Sequence, residues 1–293
     1  MVSTVVEGLV FAIMVLGVYI SYKILDFPDL TVDGSFTLGA AVFSTSLLSG
    51  LPVSISIVLT IISGSIAGLI TGYIHTKFEI TNLLSGIIIM IGLYSINLRI
   101  MGRANVNLFT VDHIFSNGNE LLTIILIVVI VKFTLDVFFK TQLGFLIRLV
   151  GDNINLIETL GCDSRKYKIL GLMLANALVA FSGGLLAQYQ GFADINMGTG
   201  MLVMGLASII LGETIFKKFS FVQLSTAAIV GSIAYRSTLA LSIRLGFAAS
   251  DLKLITSVIL LSILVINRKG LKLPNMRLKR NREVSESCLN SET

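Results

Sequence analysis

An all-α, polytopic membrane helix bundle of about nine spans is the fold class that this chain of 293 residues predicts. Only 13% of its residues are charged, about half the share of a soluble domain, while 54% are hydrophobic. Mean hydropathy is +0.90, and the apolar residues fall in long blocks rather than in alternation. A membrane span needs about 20 mostly apolar residues, and blocks of this kind supply them. The same figures exclude a disordered chain, a disulfide-rich secreted domain and an ordinary soluble enzyme.

Nine apolar segments can be marked, at residues 4–25, 35–49, 53–74, 81–96, 121–139, 169–189, 201–216, 221–243 and 252–266. Several fall short of a full span, which predicts ends that are broken, tilted or continued by polar helix turns. Basic residues set the orientation, because Lys and Arg accumulate in cytoplasmic loops. Lys140, Arg148, Arg165, Lys166 and Lys168 place the loop 140–168 inside, and Lys217 and Lys218 place a later turn inside. The tail 268–293 holds seven Lys/Arg against three Asp/Glu, so the C-terminus is cytoplasmic. Working backward, the loop 97–120 falls outside and the turn at His75 and Lys77 inside. Nine spans then require an outside N-terminus, in keeping with Lys23 just after the first segment. Eight or ten spans follow if residues 26–34 are re-entrant. The chain divides into a transmembrane domain, 1–267, and a basic tail, 268–293.

The sequence resembles itself at an offset near 166. Phe27-Pro28-Asp29-Leu30 aligns with Phe192-Ala193-Asp194-Ile195, and Gly34 and Gly39 align with Gly200 and Gly205. Gly64-Ser65-Ile66-Ala67 recurs as Gly231-Ser232-Ile233-Ala234. Segments one to four thus correspond to segments six to nine. Five spans separate each matched pair, so the two repeats run in opposite directions through the membrane. Inverted repeats are a common transporter architecture, with the solute path at their interface. Chance similarity in a chain rich in Gly, Ile and Ala is the competing explanation.

Two motifs interrupt the apolar blocks at matched positions. In the first, Asp26 to Gly34, Pro28 breaks the helix, and Asp33-Gly34 can cap the next segment. In the second, Gly191 to Gly200, three glycines with Asp194 and Asn196 allow irregular backbone of the kind that lines a cavity. Asp29, Thr31, Asp33, Asp194 and Asn196 are the candidate path residues. Taken singly, each carboxylate also fits a short solvated loop with a helix cap.

The loop 140–168 is too long for a turn. Asp152 or Asn153 can cap a short helix running to Leu160, with Gly161 at its left-handed end. Ile154, Leu156, Ile157 and Leu160 give that helix an apolar face. Docking onto lipid and docking onto a partner protein both fit such a face.

The pattern Thr141, Gly144, Arg148, Gly151, Asn153, then Leu160-Gly161, Lys168 and a Gly/Ala-rich span resembles a cytoplasmic loop of one ABC permease family. That family holds the membrane subunits for branched-chain amino acids, ribose and related sugars. Ala180 to Ala187, Gly200 through Gly212-Glu213, and Asp29 to Ser35 fit it too. The likeness is nearest to a permease branch found with lipoprotein binding proteins and partly linked to aromatic amino acids. It implies a permease subunit of a bacterial inner-membrane importer, carrying an amino acid-like solute, or a sugar as second choice. It implies a cytoplasmic ATPase, a second permease copy forming a homodimer, an extracytoplasmic binding protein and surrounding lipid as partners. It further implies a coupling helix near residues 153–161, with Arg148, Gly151, Asn153, Glu158 and Gly161 in the ATPase-coupling region. Where many relatives carry Ala-Ala in that helix, this chain has Ile157-Glu158-Thr159.

Other readings are weaker. An ion-coupled secondary transporter wants ionisable groups inside spans, and Lys132, Asp136, Arg236 and Arg244 are its candidates. Lys132 and Asp136 at i, i+4 also read as a neutralised pair, and the arginines as snorkelling or dimer-facing. An intramembrane enzyme would need converging groups, but His75 and His113 read as loop histidines. No nucleotide loop, nucleophile–base pair or metal-ligand spacing is legible, so neither catalysis, a metal nor a cofactor is expected. Cys162 and Cys288 lie far apart in polar segments, against a disulfide. Nucleic-acid binding by Arg277, Lys279, Arg280 and Arg282 lacks any accompanying motif and is not expected. Gly64, Gly68 and Gly72 form a small-residue stripe suited to close helix packing. No charged constriction suggests an ion, and an apolar path with Ser, Thr and Asn suits a small neutral or zwitterionic solute.

Overall fold

The computed structural model describes residues 2–109, 114–115, 119–216 and 224–244, with positions 246, 254, 257, 258 and 261. Most of the ninth segment, the tail, Lys217, Lys218, Asp112, His113 and Cys288 lie outside the described residues.

The first eight apolar segments each form a helix. They are α1 (Val2–Tyr19), α2 (Thr31–Leu48), α3 (Val53–Phe78), α4 (Asn82–Met101), α5 (Glu120–Phe138), α8 (Ser164–Gln190), α9 (Met201–Phe216) and α10 (Leu224–Arg244). Two short helices, α6 (Gln142–Asp152) and α7 (Ile154–Thr159), fill the loop after α5. Six helices among the described residues are long and apolar enough to cross a membrane, and α9 is a shorter apolar one. The molecule is therefore a helical membrane bundle.

Burial separates centre from periphery. The hydrophobic span of α1, extended by a π-helical turn at Ile20–Ile24, is 72% buried inside the protein, and that of α8 is 67%. For α3, α4 and α5 the share lies between 17% and 28%, although their hydropathy is comparable, 1.8 to 2.6 against 2.1 and 2.0. Apolar surface left outward on such helices faces lipid or another membrane protein, since water would not tolerate it.

The packing is close because glycine lets backbones touch. A Cβ at Gly39 of α2 would meet the Ala180 carbonyl of α8, and one at Gly64 or Gly68 of α3 would meet the Asn176 or Leu172 carbonyl of α8. The stripe at Gly64, Gly68 and Gly72 thus seats α3 on α8. On the other side of the bundle α10 lies along α1, where Ser232 Oγ donates to the Gly8 carbonyl at 2.9 Å.

The bundle has two distinct ends. At one, β1 (Asn105–Asn107) and β2 (Phe192–Asp194) form an antiparallel ribbon with Val106 opposite Ala193. At the other lie α6, α7 and the π-helical turn, where Gly151 of α6 lies against the Ile24 carbonyl and Lys23 pairs with Glu213 of α9 at 2.9 Å. Residues 25–30 run inward from this second end to α2. Residues 195–200 run inward from the ribbon end to α9. The second linker and the start of α9 meet the first turns of α2 at Asp33 and Thr37.

Candidate functional site

The meeting point is built around Asp33. It lies in the first turn of α2, yet its carboxylate caps α9: Oδ2 accepts from Gly200 N and Oδ1 from Leu202 N, both at 2.8 Å. A carboxylate at a helix N-terminus satisfies free N–H groups and offsets the positive end of the helix dipole. Thr37 adds a second tie, its Oγ1 accepting from Gly198 N at 3.1 Å. Sequence reasoning placed the Asp33 cap on α2 itself. At α2 the N-cap position is Leu30, and the first helical amide, Thr31 N, donates to Asp29 Oδ1 at 2.9 Å.

Asp29 is fully buried, which corrects its reading as part of a solvated loop. Its Oδ2 accepts from Asn176 Nδ2 of α8 at 2.7 Å, and Asn176 Oδ1 accepts from Ser35 Oγ at 2.7 Å. Thr31 is equally buried, its hydroxyl 2.8 Å from that of Thr71 on α3. The resulting network ties α2, α3 and α8 together without a cation among its members. Buried polar groups persist only when hydrogen-bonded, and here each named side chain has a partner.

Asp194 and Asn196 lie elsewhere. They form a turn beside the ribbon, where Asp194 Oδ1 accepts from Asn196 N at 2.8 Å and Oδ2 faces Asn105 Nδ2 at 3.4 Å. The structure thus brings Asp29, Thr31 and Asp33 together in the bundle and leaves Asp194 and Asn196 at one end. Sequence reasoning missed Asn176 and Asn97. Both are amides inside otherwise apolar helices, and that position was the available signal.

The loop 140–168 forms the helix the sequence predicted. Asn153 Oδ1 accepts from Leu156 N at 3.3 Å as the N-cap of α7. Gly161 ends it with φ +73°, a left-handed conformation that suits glycine, and its N–H donates to the Glu158 carbonyl. Only part of the predicted apolar face turns inward. Ile157 is fully buried, whereas Leu156, Glu158 and Leu160 are exposed. Arg148 is farther back on α6, its guanidinium 5.0 Å from the Phe139 ring centroid. With Lys23, Asp136, Lys140 and Asp152 it lines a cavity of about 430 Å³ at this end of the bundle.

Of the ionisable residues marked within helices, Lys132, Asp136 and Arg236 are paired. Lys132 Nζ lies 2.6 Å from Asp136 Oδ2, and Asp136 Oδ1 accepts from Ser225 of α10. Arg236 has its partner within the same chain. It pairs with Glu7 of α1 at 2.8 Å and stacks 4.2 Å from the Phe11 ring centroid. Arg236→Lys keeps charge but loses the flat stacking, and Arg236→Met loses both. The detergent thermal midpoint is expected to fall in that order, with a stability loss of about 1–2 kcal/mol for the methionine variant because the pair is partly exposed. An unchanged midpoint for Arg236→Met would show that the pair does not hold α10 on α1.

Among the described residues no cluster of His, Cys, Asp or Glu could hold a metal ion. A lipid-faced bundle with discontinuous helices meeting inside it, paired charges and an exposed capped helix at one end is the build of a membrane transport subunit. The family model described as branched-chain amino acid transport system, permease component, matches residues 1–267, and the chain belongs to that family. It is 48% identical over 281 residues to a tyrosine transport system permease protein of Clostridioides difficile, covering 95% of each chain. It is 35% identical over 279 residues to an uncharacterized protein of Rickettsia prowazekii, covering 92% of this chain and 99% of the other. A probable branched-chain amino acid transport permease protein, LivH, of Methanocaldococcus jannaschii is 26% identical over 213 residues, 66% of each chain. This chain is accordingly the membrane-spanning permease of an ABC-type transport system, a multi-pass protein of the bacterial inner membrane and not itself an enzyme. Permeases of this family work with an ATPase and a binding protein.

Proposed function

We propose that this permease imports an aromatic amino acid, acting as a homodimer with its C-terminus and the loop 140–168 in the cytoplasm. The substrate reading rests on the 48% identical tyrosine transport permease. The coupling reading is carried by α7, a short capped helix that buries Ile157 and leaves Leu156, Glu158 and Leu160 exposed. A helix held at both ends, with an apolar and acidic outer face, is suited to a groove on the ATPase. Asn153 and Gly161 fix its ends, Glu158 contacts the partner, and Gly151 and Arg148 hold α6 behind it.

The transmembrane part, residues 1–267, is read as two inverted repeats within a nine-span bundle. Three observations favour this. The third helix of each half crosses the first helix of the other, α3 on α8 and α10 on α1. Both copies of the Gly-Ser-Ile-Ala tetrapeptide lie at these crossings: Gly64 against Asn176, and Ser232 and Ile233 against Gly8. Asp33 bonds Gly200, the residue aligned with its own neighbour Gly34 in the repeat. In this scheme Asp29, Thr31 and Asp33 form the inner part of the solute path, and Asp194 and Asn196 its outer mouth. ATP-driven closure of the ATPase moves α7 and rocks the halves about the Asp33 seam.

Co-purification in mild detergent tests the coupling reading. The tagged protein should bring down an ATP-binding-cassette subunit. Glu158→Lys, which reverses the exposed charge, and Gly161→Trp, which forces a bulky residue into a left-handed turn, should each lower that recovery at least about tenfold. A folded permease that recovers no ATPase, or variants that recover it fully, would overturn the proposal.

A further inference from the structure

Five charged side chains line the cavity of about 430 Å³ where α5 passes into α6. Lys23 is held by Glu213 at 2.9 Å. Asp136 is used on both oxygens, Oδ2 by Lys132 and Oδ1 by the Ser225 hydroxyl. That leaves Lys140, Arg148 and Asp152, all exposed and none of them in an ion pair of the described residues. Their sum is one positive charge. Arg148 lies over the Phe139 ring, which sets its guanidinium at the cavity wall. Apart from the hydroxyls of Tyr19 and Ser225, the rest of the lining is apolar.

The cavity lies at the foot of an uncovered apolar face. The span of α5 is 17% buried. Leu126, Ile130, Phe133 and Val137 are exposed and recur at spacings of four, three and four, which puts them on one face of the helix. Lys140 follows at the next step of that spacing, in the turn that closes α5, its N–H donating to the Val137 carbonyl at 3.0 Å. An apolar stripe this exposed calls for an apolar cover. A stripe that ends among unpaired cations calls for a cover with an anionic end.

We propose that this cavity binds the phosphate headgroup of an anionic phospholipid, with Lys140 and Arg148 on the phosphodiester and the acyl chains along the exposed face of α5. The guanidinium forks onto two phosphate oxygens, and the ammonium acts as a point charge beside it. Asp152 accepts from a headgroup hydroxyl, which the glycerol of phosphatidylglycerol supplies. Phosphatidylethanolamine offers Asp152 an ammonium but is neutral overall, so it leaves the positive charge of the site uncovered. A lipid held in this way joins the end of α5 to α6. The site involves neither the solute nor the ATPase, so it stands or falls apart from the functional reading above.

The test is lipid binding to the delipidated, purified full-length permease in a neutral detergent, read by mass spectrometry as lipid retained per protein. Dioleoyl phosphatidylglycerol, dioleoyl phosphatidylethanolamine and inorganic phosphate are the probes. Phosphatidylglycerol should bind about tenfold tighter than phosphatidylethanolamine, as expected for two basic residues near an anionic headgroup, and less so as salt is raised. Inorganic phosphate in large excess should not displace it, because phosphate has no acyl chains to lay on α5. Lys140→Gln combined with Arg148→Gln should reduce phosphatidylglycerol binding to the level of phosphatidylethanolamine. Lys166→Gln, which removes a cation with a 78% exposed side chain outside the cavity lining, should leave it unchanged. The lipid comparison on unaltered protein stands even if the double variant does not fold. Equal binding of the two lipids, displacement by phosphate, or full preference in the double variant would overturn the proposal. So would retention of neither lipid, the result expected if a second copy of the chain covers α5.

Discussion

A Gly39→Leu chain is expected not to accumulate in the membrane. At this crossing α2 and α8 are separated by no side chain, and even a methyl group at position 39 would run into the Ala180 carbonyl. Gly183 of α8 makes the reciprocal contact against the Phe36 carbonyl, so the helices cannot slide apart at one position without strain at the other. Overpacking a well-filled core by one or two carbons costs about 1–3 kcal/mol, and leucine against backbone exceeds that range. Gly39→Ala should give a graded loss, visible as a lower thermal midpoint in detergent. Gly92 of α4, where an added Cβ meets nothing within 4 Å, is the control. Gly92→Ala should leave abundance unchanged or raise stability by up to about 1 kcal/mol through helix propensity. Normal accumulation of Gly39→Leu would refute the close packing of α2 on α8.

Asn176→Leu is the second substitution with a large expected effect. It removes the side-chain donor to the Asp29 carboxylate and the acceptor of the Ser35 hydroxyl at once. Each buried group left unpaired costs about 1–3 kcal/mol, and a charged one more. Asp29→Asn in the same chain removes the charge and should restore part of the loss. The combined effect is therefore expected to fall short of the sum of the single effects by about 1 kcal/mol or more, as for residues in one network. Thermal unfolding of the single and double variants measures this. Strict additivity would mean that Asp29 and Asn176 do not depend on each other.

The two motifs fared differently under sequence reasoning, for a reason visible in their geometry. The α7 helix was legible because its determinants are local: Asn153 caps an amide three residues on, and Gly161 closes the end through a bond to Glu158. Asp33 was legible as a cap but not as to which helix it serves, since its partners lie 167 and 169 residues away. Glu7 was overlooked as the partner of Arg236 because nothing near either residue signals the other. Chain spacing reveals a pair such as Lys132 and Asp136, four residues apart on one helix. It reveals no pair that crosses between helices.

From the amino-acid order alone came the membrane class, the positions of eight apolar helices, the break at residues 26–34 and the capped helix in the loop 140–168. These follow from hydropathy and from hydrogen bonds that close within a few residues, so a window of the chain contains their cause. Tertiary structure decided which helices form the centre, where α2 and α9 begin, and which polar atom answers which. In an apolar medium a polar group accepts any partner the packing delivers. Where Gly39, Gly64 and Gly68 allow backbones to touch, the fold, and not the neighbouring sequence, selects that Asn176 meets Asp29 and that the Asn97 amide donates to the Gly34 carbonyl.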